Sequence, residues 1–98
     1  MADRTRYLLA YDIRDARRLR RVHKVAKDFG DPLQYSVFIC DLTAVELMML
    51  RGALLTEINT KVDSVCLCDL GPAAGVAVRK MEFLGVRRPM PEEGPAIW

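Results

Sequence analysis

The apolar positions of this chain change their spacing from block to block, and the changes mark its elements. Tyr7-Leu8-Leu9-Ala10-Tyr11 is a nearly continuous apolar run, as expected of a central strand buried on both faces. Beyond Asp12 the period lengthens. Leu19, Val22, Ala26 and Phe29 recur at helical spacing, while Arg17, Arg20, Arg21, Lys24 and Lys27 recur on the opposite side. Asp15 is placed to cap this helix and Gly30 to end it.

Asp31-Pro32 opens an extended segment, Leu33 to Leu42, rich in Tyr, Val, Phe and Ile. It reads as one strand, or as two short strands joined by a sharp bend near Gln34 to Ser36. Thr43 followed by Glu46 is a capping box for a second helix, from Ala44 to about Ile58. That helix has a thin polar face, which predicts burial on more than one side. Asn59 to Asp63 breaks the chain before the extended segment Ser64-Val65-Cys66-Leu67-Cys68, which Gly71-Pro72 ends. Lys80 to Leu84 has the pattern of one more strand, and Arg87 to Trp98 reads as a tail.

Splitting the middle segment gives βαββαβ, an α+β ferredoxin-like sandwich with both helices on one face of an antiparallel sheet. Residues 1–72 form the core domain in this reading, and residues 73–98 a C-terminal strand and tail that contacts a partner protomer. The other sheet face is left bare. Alternating sets drawn from Tyr7, Leu9, Tyr11, Val37 and Ile39 are expected to line it, and a homodimer packed sheet to sheet is the simplest cover.

Composition narrows the class. The chain has 98 residues, 51% of them hydrophobic, enough for one small core. No apolar run reaches the length of a membrane span, and the first residues lack a secretory pattern; a cytoplasmic protein is expected. Cys40, Cys66 and Cys68 are odd in number and sit in apolar runs, with a single histidine, His23, in the chain. Zinc takes four such ligands, so the cysteines read as buried free thiols, Cys66 and Cys68 sharing one strand face.

Charge is uneven. Met1 to Gly30 carries nine Lys/Arg against four Asp, a net +5, and the remainder is net −3. A polyanionic partner is expected at the basic end. The candidate chemistry lies there too: Asp12 ends an apolar strand and is followed at once by an arginine-rich helix, as a metal-and-phosphate site requires. Mg²⁺ takes one or two carboxylates plus phosphate oxygens, so paired copies of Asp12 in a homodimer would hold one ion. The competing reading makes Asp12 structural, a helix cap or a partner of Arg14 or Arg17. Arg14, Arg17, Arg18, Arg21 and Lys24 are the nucleic-acid candidates, with shape and charge recognition in place of base reading; Arg18, nearest the apolar face, has a second reading as a brace for the dimer or for Asp12. Ser36 and Phe38 are candidates for site support, although Phe38 also reads as core. His23 reads as a surface or phosphate-contact residue.

The motif Tyr11-Asp12-Ile13, then Asp15, Arg17-Arg18, Arg21-Val22, Gln34-Tyr35-Ser36-Val37-Phe38 and Asp63-Ser64-Val65 resembles the CRISPR-associated Cas-two family. The match runs from about Arg6 to Leu70. The resemblance implies a ferredoxin-like homodimer whose C-terminal strand, here Lys80 to Gly85, crosses to the partner's sheet. It further implies a role in spacer acquisition for antiviral defence, binding duplex DNA and bridging the Cas-one integrase. An Mg²⁺-dependent endonuclease acting on DNA or single-stranded RNA through Asp12 is the implied activity. A non-catalytic nucleic-acid-binding adaptor and a toxin-like ribonuclease of the same fold are the alternatives. The sequence departs from the family at Arg14, where a small residue such as Ser is common.

Overall fold

A turn at Tyr35-Ser36 divides the middle segment into two strands. The resulting order is β1 (Thr5–Asp12), α1 (Ala16–Phe29), β2 (Asp31–Gln34), β3 (Val37–Leu42), α2 (Ala44–Glu57) and β4 (Ser64–Pro72). These elements come from a computed structural model that describes residues 3–74 together with 82, 84 and 85. The strand expected over Lys80 to Gly85 and the tail from Arg87 to Trp98 lie outside the described residues, apart from those three isolated positions.

The strands form one sheet in the order β2-β3-β1-β4, every neighbouring pair antiparallel. Both helices cover one face, so this is the ferredoxin-like α+β sandwich. β1 is central, as its apolar run predicts. Pro32 is tolerated because β2 is an edge strand, with a register shift between Pro32 and Gln34. Past the last paired residues, the Tyr11 amide donates to the Ser36 carbonyl at 3.1 Å, which carries the ladder to the end where Asp12 sits.

Leu9, Tyr11, Phe38, Cys40 and Leu42 from the sheet meet Val22 and Ala26 of α1 and Leu47, Leu50 and Leu54 of α2 in one core. Cross-strand partners share a face. Leu9 opposite Phe38 and Tyr7 opposite Cys40 therefore look toward the helices. This corrects the expected lining of the bare face: Tyr7, Leu9 and Tyr11 point inward, while Val37 and Ile39 lie on the open face with Leu8 and Ala10. Cys66 and Cys68, opposite Ala10 and Leu8, join them. They share a face as expected but are exposed in the single chain, and Cys40 alone of the three is buried.

The helix ends follow the sequence signals. Asp15 accepts from the Arg18 amide at 3.0 Å, and Thr43 and Glu46 complete the capping box reciprocally. Gly30 stops α1 in an extended conformation, φ −162°, so backbone freedom is not its reason. A Cβ there would lie 2.5 Å from Cys40 Sγ and against the Ile39 carbonyl. Gly30 is where the chain leaving α1 runs tight against β3.

Candidate active site and nucleic-acid interface

Asp12 ends β1 in register with Ser64, the first residue of β4. Strand alternation puts it on the open face with Leu8 and Ala10. Its side chain is exposed, and Arg14 Nη1 stands 3.6 Å from Asp12 Oδ2 with both groups in solvent. A pair so placed is weak. The helix cap is Asp15, whose carboxyl the Arg18 amide holds below the usual carboxylate range, so capping is removed as a role for Asp12. No group of three or more His, Cys, Asp or Glu among the described residues is arranged to hold a metal ion. One chain presents one carboxylate here.

The loop that carries Asp12 into α1 is fixed from below by Asp63. The Asp63 carboxylate has no solvent-accessible surface, sealed by its own partners rather than by depth in the core. It accepts from the Arg14 amide at 2.9 Å, the Asn59 amide at 2.8 Å, and Arg18 Nε and Nη2 at 2.8 and 3.2 Å. Four donors on one carboxylate favour the ionised form, and Asp63, with the Arg18 guanidinium as the leading cause, is held far below the usual range. The same pairing raises Arg18.

Arg18 therefore departs from the nucleic-acid expectation. It sits on the core-facing flank of α1, and the guanidinium expected to meet phosphate is spent on Asp63. The brace reading of Arg18 comes closer: it supports the Asp12 loop through Asp63, without touching Asp12. Asp63 was visible in the sequence as part of a motif, but an aspartate before a strand carries no sign of a burial partner 45 residues away.

Arg17, Arg20, Arg21 and Lys24 are exposed along the outer side of α1. They form the ribbon of positive charge that the spacing predicts. The ribbon and Asp12 are not brought together: the ribbon faces away from the sheet, and Asp12 lies on the sheet's other face. The β1–α1 loop, which carries Arg14, joins the two surfaces.

Phe38 is fully buried, stacked on Tyr11 at 6.2 Å and met edge-on by His23 at 5.4 Å. Of the two readings of Phe38, the ring takes the core one. Ser36 lies in the β2–β3 turn, where its backbone carbonyl extends the sheet through Tyr11. His23, expected at the surface, is half-buried beside the core, with Nδ1 3.1 Å from the Tyr11 hydroxyl. Burial raises the Tyr11 phenol, so it stays protonated and can share its proton with His23 or the Tyr35 carbonyl at 3.5 Å. At the far end of the open face, Arg6 grips Asp41 across the strands with two bonds of 2.7 Å. No sequence spacing marked that pair.

The fold and this arrangement define a small ferredoxin-like α+β protein with an exposed strand-end carboxylate beside an arginine-lined helix. The family described as CRISPR associated protein Cas2 matches residues 5–74. A relative from Geobacter sulfurreducens, named CRISPR-associated endoribonuclease Cas2, is 41% identical over 71% of this chain and 74% of its own. Another from Thermodesulfovibrio yellowstonii, named CRISPR-associated endoribonuclease Cas2 2, is 43% identical over 74% of this chain and 79% of its own. The crystal structure of Streptococcus pyogenes Cas2 superposes with a TM-score of 0.73 at 33% identity, over 82% of this chain and 99% of that one. The chain belongs to the CRISPR-associated Cas2 family. No helix among the described residues is long and apolar enough to cross a membrane.

Proposed function

We propose that this protein is a nucleic-acid-binding homodimer of CRISPR spacer acquisition with metal-dependent endonuclease activity. One observation carries the reading: Asp12 stands exposed at the carboxyl end of a central strand, one short loop from a helix that presents Arg17, Arg20, Arg21 and Lys24 to solvent. The endoribonuclease names of the relatives favour RNA as the substrate cleaved. The α1 ribbon fits the phosphate backbone of RNA or duplex DNA, since nothing about it selects a base. Contact with duplex DNA and with the Cas-one integrase is the acquisition side of the proposal.

Mg²⁺ fits this donor set only as a shared ion. It takes oxygen ligands, with one or two carboxylates beside substrate phosphate, and two copies of Asp12 facing each other across a homodimer would supply the pair. When bound, the ion offsets charge on the scissile phosphate and lowers the pKa of its water. The chain's own residues do the rest. Asp63 and Arg18 fix the loop, Arg14 meets the anion beside Asp12, and Arg17 orients the strand that enters. The open face of Leu8, Ala10, Val37, Ile39, Cys66 and Cys68 supplies the sheet-to-sheet contact of the homodimer.

A second reading has its own observation. Arg14 Nη1 lies 3.6 Å from Asp12, so a resident cation already faces the carboxylate. In a non-catalytic adaptor that pair is structural and the protein binds nucleic acid without cutting it. Labelled single-stranded RNA and duplex DNA, incubated with Mg²⁺ and wild type, Asp12→Asn or Arg14→Ser, decide between the two. Cleavage that requires Mg²⁺ and Asp12, and is retained or enhanced in Arg14→Ser, supports the nuclease. Binding without cleavage by all three leaves the adaptor.

A further inference from the structure

Tyr35 is the one exposed aromatic residue among the described residues, at 52%. It sits with Ser36 in the tight turn between β2 and β3. Such turns favour Gly, Asn and Asp, and no described residue other than glycine has a positive φ, so the turn's backbone does not ask for tyrosine. The core does not use it either: Tyr7, Tyr11, Phe29 and Phe38 belong to the core or pack against it, and Tyr35 is not among them. A large ring kept in water, where neither backbone nor packing needs it, is a local conflict of the sort found at functional positions. Two contacts fix where this turn stands. The Tyr11 amide donates to the Ser36 carbonyl at 3.1 Å, and the Tyr11 hydroxyl donates to the Tyr35 carbonyl at 3.5 Å. Both come from the residue immediately before Asp12. On the other side of β1, Asp12 is in register with Ser64. The carboxylate therefore ends the central strand with the Tyr35 turn on one side and Ser64 on the other. Neighbouring strands lie about 4.8 Å apart, a step that one nucleotide covers.

We propose that Tyr35 is the platform on which an unpaired base stacks while its phosphate lies at Asp12, so that this end of the protein takes single-stranded nucleic acid and not duplex. The inference rests on the nucleic-acid-binding reading above and adds to it the group that recognises the strand. Every base has a π-face, so stacking on an aromatic side chain tolerates any sequence, as does the cationic face of α1. In a duplex those faces are already covered by neighbouring bases, and only an unpaired or extruded base can meet a ring. The α1 ribbon thus holds a polyanion of either kind, and Tyr35 sorts it by strandedness.

Fluorescence anisotropy on the full chain tests it with three labelled probes: a single-stranded RNA, an abasic strand of the same length and a duplex DNA. Wild type is compared with Tyr35→Ala and Tyr35→Phe, and thermal melting confirms that each variant is folded. Tyr35→Ala is expected to weaken binding of the single-stranded RNA at least about fivefold. Tyr35→Phe, which keeps the ring, is expected to bind like wild type. Neither variant is expected to change affinity for the abasic strand or the duplex, or the salt slope, since no charge is removed. Unchanged RNA affinity in Tyr35→Ala would overturn the stacking role. So would an equal loss on RNA and duplex, which would put Tyr35 in the dimer contact, or a loss in Tyr35→Phe as large as in Tyr35→Ala, which would make the hydroxyl the contact. Those three outcomes leave the nucleic-acid-binding reading standing. Failure of wild type to bind any of the probes would sink that reading and this inference with it.

Discussion

Arg18 and Asp63 lock the β1–α1 loop onto the α2–β4 loop: the guanidinium meets both carboxylate oxygens, at 2.8 and 3.2 Å, from 45 residues away. The same carboxylate holds the backbone of Arg14 and Asn59. One acidic side chain thus sets the path of the chain just after Asp12 and just before Ser64. The position of the candidate catalytic carboxylate is a consequence of this pairing as much as of β1 itself.

Asp63→Asn keeps the shape but loses the charge, and it is expected to lower Tm at pH 7 by more than about 5 °C. Arg18→Lys is expected to shift Tm in the same direction, because an ammonium cannot reproduce the two-pronged contact. The pH dependence carries a sign. Asp63 is depressed in the folded state, so its contribution is fully present above the ordinary carboxylate pKa and is lost as pH falls through and below it. The Tm difference between wild type and Asp63→Asn is therefore expected to be constant from neutral pH down to about pH 5 and to shrink toward about pH 2. A gap unchanged across that range would show that the hydrogen-bond geometry, not the charge, stabilises the loops.

Two glycines make an internal contrast in backbone packing. Gly30→Ala forces a methyl group into Cys40 Sγ and the Ile39 carbonyl, and is expected to cost about 1–3 kcal/mol as an overpacked site. Gly52→Ala enters open space in the middle of α2 and is expected to stabilise by up to about 1 kcal/mol through helix propensity. Urea melts of the two variants, read as midpoint shifts of opposite sign, check both.

The cationic face predicts a salt dependence that separates its residues. For every phosphate that a variant no longer neutralises, the slope of log affinity against log salt falls by about 0.9 for duplex DNA and about 0.7 for single strands. Arg17→Ala with Arg21→Ala is expected to lower the duplex slope by about 2. Asp28 lies exposed on the same helix, and Asp28→Asn is expected to tighten binding with little change of slope. Fluorescence anisotropy titrations at several salt concentrations give these numbers directly. Equal slopes for wild type and the double variant would remove α1 from the interface.

Much of the fold was legible because its signals are local. The Asp15 cap, the Thr43–Glu46 capping box and the 3.6-residue spacing of Leu19, Val22, Ala26 and Phe29 each depend on residues within a turn or two. The sheet faces were not legible in the same way. A run such as Tyr7 to Tyr11 is apolar at every position, and a period of two cannot be phased in a run without alternation; the register with β3 and β4 decides it. Arg18 and His23 were misplaced for a related reason. Both flank the core stripe of α1, where helical angle alone does not distinguish a solvated cation from one turned toward Asp63, or an imidazole turned toward Tyr11.

The three cysteines test the sheet-face homodimer. Burial, followed by the charges of Asp41 and Asp31, pushes the Cys40 thiol up to about 11, and thiolate is the reactive form. Cys40 is therefore expected to stay silent toward a disulfide reagent at about pH 8 until the chain unfolds. Cys66 and Cys68 are exposed in the single chain, on the face that also carries Leu8, Ala10, Val37 and Ile39. If two copies close over that face, these thiols are covered as well, and native protein is expected to show no fast-reacting thiol, with all three released in denaturant. Ala10→Arg, which plants a charge in the middle of the face, is expected to convert the pattern to two fast thiols and one slow one. The same two-and-one pattern in wild type would place the dimer contact, or its absence, somewhere other than this sheet face. Paired Asp12 carboxylates would then lack the two-fold arrangement that a shared ion requires.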